Sequence, residues 1–267
     1  MSHETLSHAQ GQVQAITDPA HRPSDVYLFG TCVLDIFMPE AGMDVLTLLE
    51  SQGIRVHYPQ AQSCCGQPAY TSGHPKEAFD VARQQLDLFA EPWPIIVPSG
   101  SCGGMMKHHW PNLFANTEYA ERANDIAGRV VEFSQFLLNV LDYQPRDLGA
   151  PTHVAVHTSC TARREMGVHL SSWALVERLA NVTRVVHDHE SECCGFGGTF
   201  SMKHPNISGA MVSDKVAALK ATHANEIISA DAGCMLNIGG KIAKAEPNMP
   251  RPKHLATFLL ERTGGKA

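Results

Sequence analysis

The cysteines of this chain, eight in number, fall into two copies of one pattern. Cys32, the adjacent Cys64 and Cys65, and Cys102 recur as Cys160, Cys193 with Cys194, and Cys234, at offsets of 128, 129, 129 and 132 residues. No cysteine lies outside the repeat. A duplication of this kind constrains the chain to two similar units, each of which delivers four thiols to one place. Thiolates are preferred ligands of iron–sulfur clusters and common ligands of zinc, so metal is the first chemistry to consider.

Composition separates this reading from a disulfide framework. Residues 1–24 are polar, carry His3, His8 and His21, and lack the apolar run of a signal peptide. The longest apolar stretches, such as VYLF and PIIV, are only strand-sized, so no membrane span is expected. The chain is therefore expected in the cytoplasm, where thiols stay reduced and clustered cysteines mean metal or redox chemistry. Its net charge of −6 gives no basis for binding nucleic acid or anionic membranes.

Periodicity repeats with the cysteines. In the first half VYLFGTC reads as a buried strand ending at Cys32, a helix is predicted near residues 42–52, and IRVHYP reads as a second strand before SCCG. Phe79, Ala82, Leu86 and Phe89 then share one helical face, and IIVPSGSC delivers Cys102 from a strand end. The second half gives HVAVHTSC, a helix through Leu175 and Leu179, RVVHD, ECCG, a helix carrying Val212, Val216 and Leu219, and EIISADAGC. Between them Ile126, Val130, Phe133, Leu137 and Leu141 predict one long amphipathic helix, followed by the linker YQPRDLGAP. The expected fold is α/β: two tandem similar domains with mostly parallel sheets, related by a pseudo-twofold axis. The divisions are a flexible polar arm (1–24), a first domain (25–150) and a second (151–267). Open parallel sheets bind ligands at the carboxyl ends of their strands, where every cysteine loop of this chain is placed.

Thiolates on neighbouring residues diverge, so they reach two irons of a cluster, or bridge them, more readily than they share one small ion. Gly66 and Gly195 follow the pairs directly, as a turn with positive φ or a close backbone approach requires. A helix start just beyond would help to hold anionic thiolates. Buried structural cysteines or a vicinal disulfide are the bland alternatives, and they do not explain duplication of the whole set.

The order Cys, Cys-Cys-Gly, Cys resembles the cysteine-rich (CCG) domain of heterodisulfide reductase subunits and glycolate oxidase iron–sulfur subunits. The intervening lengths, 31 and 36 residues in the first repeat and 32 and 39 in the second, are similar to that family's. SCCGQPAYTSG, SGSCGGM, HTSC and CCGFGGTFSMK further resemble the lactate utilisation protein A group, the iron–sulfur subunit of the bacterial three-protein L-lactate oxidation complex. The likeness runs from about Val26 to Arg262. The chain departs from the family where many relatives end each repeat in Cys-x-x-Cys: Ser99 precedes Cys102, and Asp231 precedes Cys234. Four thiols per repeat suffice for a conventional 4Fe–4S cluster, while the missing fifth puts the relatives' non-cubane cluster in doubt.

Cys160, Cys193, Cys194 and Cys234 are the stronger candidate ligands, because Gly195, Gly197 and Gly198 let backbone amides approach sulfide. Cys32, Cys64, Cys65 and Cys102, beside the more rigid Pro68, suit a cluster or a zinc ion. One or two clusters are expected in all. Asp231 is either an oxygen ligand or the cap of the following helix, and Ser99 a turn residue. GFGG follows a cysteine pair instead of opening a βαβ unit, so it is not read as a nucleotide site. His157 is read as a plain core or surface residue, or as a hydrogen-bond donor to cluster sulfur. His187 and His189 read as a solvated loop or as proton-coupled tuning groups, His108 and His109 as surface positions, and Asp35 as a cap or a support for Cys32.

The resemblance implies an iron–sulfur electron-transfer subunit of a complex oxidising L-lactate or another 2-hydroxy acid. Its implied partners are a larger ferredoxin-like iron–sulfur protein and a third small subunit, through which it is peripheral to the membrane. The sequence has no flavin or nicotinamide fingerprint, so no lactate dehydrogenase activity is expected of the chain alone. Two other functions compete with this one: a thiol–disulfide reductase of the heterodisulfide type, and a zinc-stabilised interaction module.

Overall fold

The computed structural model describes residues 22–265, so almost all of the expected arm at 1–24 lies outside the described residues. Two four-stranded sheets form, each parallel throughout. The first has the order β2-β1-β3-β4, from β1 (Asp25–Leu28), β2 (Arg55–His57), β3 (Ile95–Val97) and β4 (Val130–Glu132). The second has the order β6-β5-β7-β8, from β5 (Thr152–His157), β6 (Val182–Val185), β7 (Glu226–Ser229) and β8 (Lys253–His254). The inner strands are apolar at their centres, VYL, IIV, VAV and II, as expected where helices cover both faces of a parallel sheet. In both sheets the strand order reverses between the first and third strands in sequence, which opens a crevice at their carboxyl ends.

The helices lie close to their expected positions, with one clear correction. Ile126, Val130, Phe133, Leu137 and Leu141 are all buried, yet they do not share one helix. The helix Ala120–Arg129 stops, Val130–Glu132 pairs in parallel with β3, and a new helical segment starts at Phe133 and continues through a π turn, Phe136–Val140. Two local causes override the apolar periodicity. Arg129, at the helix end, donates to the carbonyls of Phe89, Glu91 and Trp93, and the Glu132 carboxylate accepts from the amides of Ser134 (2.8 Å) and Gln135 (3.2 Å), capping the new helix. Smaller shifts occur elsewhere: the helix expected at 42–52 spans Pro39–Ser51, and that carrying Phe79 and Ala82 ends at Arg83, before Leu86 and Phe89.

The domains meet through contacts that come in exchanged pairs. The C-terminal helix Leu255–Arg262 packs on Pro39–Ser51 of the first domain, as the segment 133–140 packs on Val168–Glu177 of the second. The helix Gly100–Gly104 lies against the turn Ala162–Met166, as Ala232–Ala245 lies against Cys32–Phe37. Each contact has a counterpart with the roles reversed, which is the signature of a pseudo-twofold axis. The largest apolar cluster accordingly belongs to both domains, joining Val26, Leu48, Phe133 and Phe136 to Val154, Leu175, Ile228 and Phe258. Smaller clusters around Trp110 and around Ile238 fill the outer layers. Among the described residues, no helix is long and apolar enough to cross a membrane.

Candidate metal centres

Each first cysteine follows the first strand of its sheet, each pair follows the second, and each last cysteine follows the third. The loops converge as the periodicity implied. In the first set the thiol of Cys32 neighbours that of Cys64, Cys64 neighbours Cys65, and Cys65 neighbours Cys102, each close enough to shift the other's titration. In the second, Cys160 neighbours Cys193, Cys193 neighbours Cys194, and Cys194 neighbours Cys234 in the same way. All eight cysteines are free thiols. Both sets line a single cavity of about 660 Å³ between the domains.

The two pairs are held by matched devices. Gly66 (φ 86°) and Gly195 (φ 84°) turn the chain in the left-handed region, and a Cβ on either would lie 2.8 Å from a carbonyl, that of Ala78 or Ser208. The turn aims the Gly66 amide at Cys64 Sγ (3.4 Å) and the Gly195 amide at Cys193 Sγ (3.3 Å). The Trp110 indole donates to the Cys65 carbonyl (2.9 Å), and the Asn237 amide donates to that of Cys194 (2.8 Å). A helix begins at Gln67 just after the first pair, but after the second pair only at Phe200, so the expected helix-start support is confined to the first.

The sulfurs compete for charge. Cys64 is held far below the usual thiol value, first by its hydrogen bond with Cys32 and then by that with Cys65. Cys32 is pushed up by the same bond and by burial, and Cys65 by its bond with Cys102. Cys160 rises likewise, through its bond to Cys193 and through burial. Four thiols this close cannot all ionise unless a cation shares the site. Soft sulfur donors arranged so fit zinc or an iron–sulfur cluster.

Around this common plan the domains differ. His157, three residues before Cys160, has Phe29 as its counterpart three residues before Cys32. His157 is 0% exposed, and neither ring nitrogen has a hydrogen-bond partner among the described residues. Burial, then the charges of Lys215 and His187, drive its basicity well below the usual imidazole value, so the ring is neutral. One ring nitrogen and the Sγ atoms of Cys194 and Cys234 lie within 4.8 Å of one another. Lys215, also buried, donates its ammonium to the His189 carbonyl. Its counterpart, ten residues after the proline that opens the matching helix, is the neutral Gln85. Lys215 was missed in the sequence, although it is the one charge on the helical face of Val212, Val216 and Leu219.

The remaining candidates fall into place. Asp231 sits at the cap position of the helix Ala232–Ala245 but makes no side-chain bond to it; its carboxylate instead accepts from the Ser101 amide of the first domain at 3.1 Å. The expectation that it caps its own helix is corrected. Ser99 flanks the helix Gly100–Gly104 in extended conformation. His187 is buried, contrary to the solvated-loop reading, with Nδ1 donating to the Asp188 carbonyl (2.7 Å), while His189 is exposed and pairs with Glu192 (2.7 Å). His108 is exposed, but His109 reaches across the domains to Glu165 at 3.0 Å. Asp35 is exposed and accepts from the Tyr58 hydroxyl at 3.2 Å.

Two sets of three cysteine loops face one cavity, and comparison with known proteins finds the same pattern twice. The cysteine-rich (CCG) domain matches residues 26–107 and again residues 154–239. The chain belongs to this family. Among curated members it is 41% identical over 240 residues to lactate utilization protein A 1 of Bacillus mycoides (strain KBAB4), covering 88% of this chain and 96% of that protein. It is 40% identical to lactate utilization protein A of Geobacillus kaustophilus (strain HTA426), covering 89% and 99%. A solved structure of a hypothetical protein from Helicobacter pylori superposes with a TM-score of 0.63 at 11% identity, which speaks to the fold alone. That match covers 98% of this chain but only 54% of the longer Helicobacter chain.

Proposed function

We propose that this chain is an iron–sulfur electron-transfer subunit of a complex that oxidises L-lactate or a related 2-hydroxy acid. The observation that carries the reading is the convergence of two four-thiol sets on one interdomain cavity, in a chain whose relatives bear the name lactate utilization protein A. Cys160, Cys193, Cys194 and Cys234 would hold one cluster, and Cys32, Cys64, Cys65 and Cys102 a second cluster or a zinc ion. A bound 4Fe–4S cluster supplies one-electron transfer. The chain's own part is to present the thiolates, to direct the Gly66 and Gly195 amides at sulfur, and to keep the two sites facing each other. Oxidising a 2-hydroxy acid also requires an acceptor for the α-hydrogen, which this reading assigns to a partner. The partners are a ferredoxin-like iron–sulfur protein and a third small subunit, the location cytoplasmic and peripheral to the membrane through them, and the domain boundary near Pro151.

Anaerobic purification followed by iron, acid-labile sulfide and zinc analysis tests the cofactor. Iron with sulfide is expected, with a greater loss in Cys193→Ala and Cys194→Ala than in Cys64→Ala and Cys65→Ala. Stoichiometric zinc without iron would reverse the assignment. A gene deletion should abolish lactate-dependent growth while the partner proteins are still made, and the Cys194→Ala chain should fail to restore it. Turnover of lactate by the isolated chain with an artificial acceptor would refute the relay role.

One observation favours the second reading, a thiol–disulfide reductase. The cavity of about 660 Å³ falls in the size range of small-ligand sites, and both thiol sets border it. Reduction of a small disulfide by the anaerobically reduced chain, lost in Cys194→Ala, would select that reading.

A further inference from the structure

We infer that His157 is a ligand of the metal centre held by the second cysteine set, beside Cys194 and Cys234, which makes the second site a mixed imidazole–thiolate centre and leaves the first all-thiolate. The inference takes from the proposed function only that the second site holds metal. Three observations lead to it. The His157 ring is 0% exposed with both nitrogens unpartnered among the described residues, and buried polar groups in that state call for a partner such as a bound ion. Its nitrogen and the Sγ atoms of Cys194 and Cys234 lie within 4.8 Å of one another, so a small inward shift of the side chains would bring all three to bonding distance, about 2.0–2.3 Å, of a metal centre. Phe29 fills the matching place in the first domain at 0% exposure, so packing at this point is met by an apolar ring and does not explain an imidazole.

The surroundings suit a ligand histidine. Such residues donate their second ring N–H to an outer partner that fixes the tautomer. The buried His187 spends its Nδ1–H on the Asp188 carbonyl, which leaves its Nε2 a free acceptor, although no hydrogen bond joins the two rings as they stand. A histidine that only hydrogen-bonded to cluster sulfide would need one donor nitrogen and no convergence with two thiolates. That weaker role is the competing outcome.

The test uses the full chain, labelled with 15N-histidine, purified anaerobically and reduced with dithionite, with iron and sulfide measured on the same sample. Pulsed electron paramagnetic resonance should show one histidine nitrogen strongly coupled to the reduced centre, and His157→Phe should abolish that coupling. Cluster-loaded protein with only weak nitrogen couplings, or a strong coupling that survives His157→Phe, would overturn the inference. Cobalt(II) titration of the metal-free chain gives a second reading that does not depend on cluster assembly. His157→Phe should move the ligand-field bands toward those of an all-thiolate site and weaken binding by at least about tenfold. Identical spectra and affinities in a variant with unchanged circular dichroism would also overturn it. The iron and sulfide values judge the electron-transfer reading separately, since a chain carrying zinc alone would refute that reading while the cobalt spectra still decide the role of His157.

Discussion

Asp231 of the second domain accepts a hydrogen bond at 3.1 Å from the backbone amide of Ser101 in the first, joining the loop of Cys234 to the loop of Cys102. The bond crosses the pseudo-twofold axis without an exchanged counterpart, because Ser99 stands where a matching carboxylate would be. The last cysteine of each set is thereby held in register with that of the other.

Asp231→Ala should lower stability by about 1–3 kcal/mol, since it leaves the Ser101 amide without its charged acceptor. Asp231→Asn keeps a carbonyl oxygen at that place and should recover most of the loss. Urea unfolding of the three proteins gives the comparison. Metal analysis should show equal content in all of them, as expected for a carboxylate engaged with an amide.

Glu132 sets a pH dependence of stability. Burial raises its carboxyl from 4.5 to about 7, against the hydrogen bonds from Ser134 and Gln135 that lower it. Below about pH 4.5 the folded and unfolded chains both hold the proton, and the group costs nothing. Between pH 4.5 and 7 the unfolded chain loses it first, so stability falls as pH rises, by roughly 3 kcal/mol at about 1.4 kcal/mol per unit. Glu132→Gln removes this slope. Urea unfolding at pH 5 and pH 8 should show the variant gaining on the parent by up to that amount.

Phe136 and Phe258 lie in the apolar cluster shared by the domains, at 0% and 1% exposure. Truncating either to alanine should cost about 3–5 kcal/mol. Because the cluster is common to both halves, calorimetry of each variant should show one transition moved as a whole. Two transitions, only one of which responds, would contradict a shared core.

Gly195→Ala and Gly66→Ala should each destabilise the chain by more than about 1 kcal/mol, because alanine resists the positive φ and its Cβ meets a carbonyl at 2.8 Å. Each should also lower metal content at its own site, since the displaced amide is the one directed at Cys193 or Cys64. Unfolding curves and metal analysis of the two variants, side by side, check both effects.

The strands and cysteine loops were legible in the sequence because runs such as VYLF and IIV are buried on two faces and each ends at a thiol. The break at Val130 was not, because its cause is tertiary: an unpaired edge of β3 and the carbonyls that Arg129 binds more than thirty residues away. Asp231 was misread for a similar reason, since its partner belongs to the other domain. His157 and Lys215 lie in strand and helix patterns that look like ordinary core, and only superposing one repeat on the other exposes them as departures, against Phe29 and Gln85. The histidine pair at His187 and His189 was read as one feature, whereas the turn at His189, with φ 60°, sends the two rings to opposite environments.

The apolar layer common to both halves carries a consequence for ancestry. Either half alone would expose the face that the other now covers, so a single-unit forebear would have required a second copy of itself, joined through a self-complementary patch. In such a homodimer every substitution appears twice and the two sites must stay identical. Fusion into one chain released them from that symmetry, so a phenylalanine could persist in one half while a histidine occupied the same place in the other.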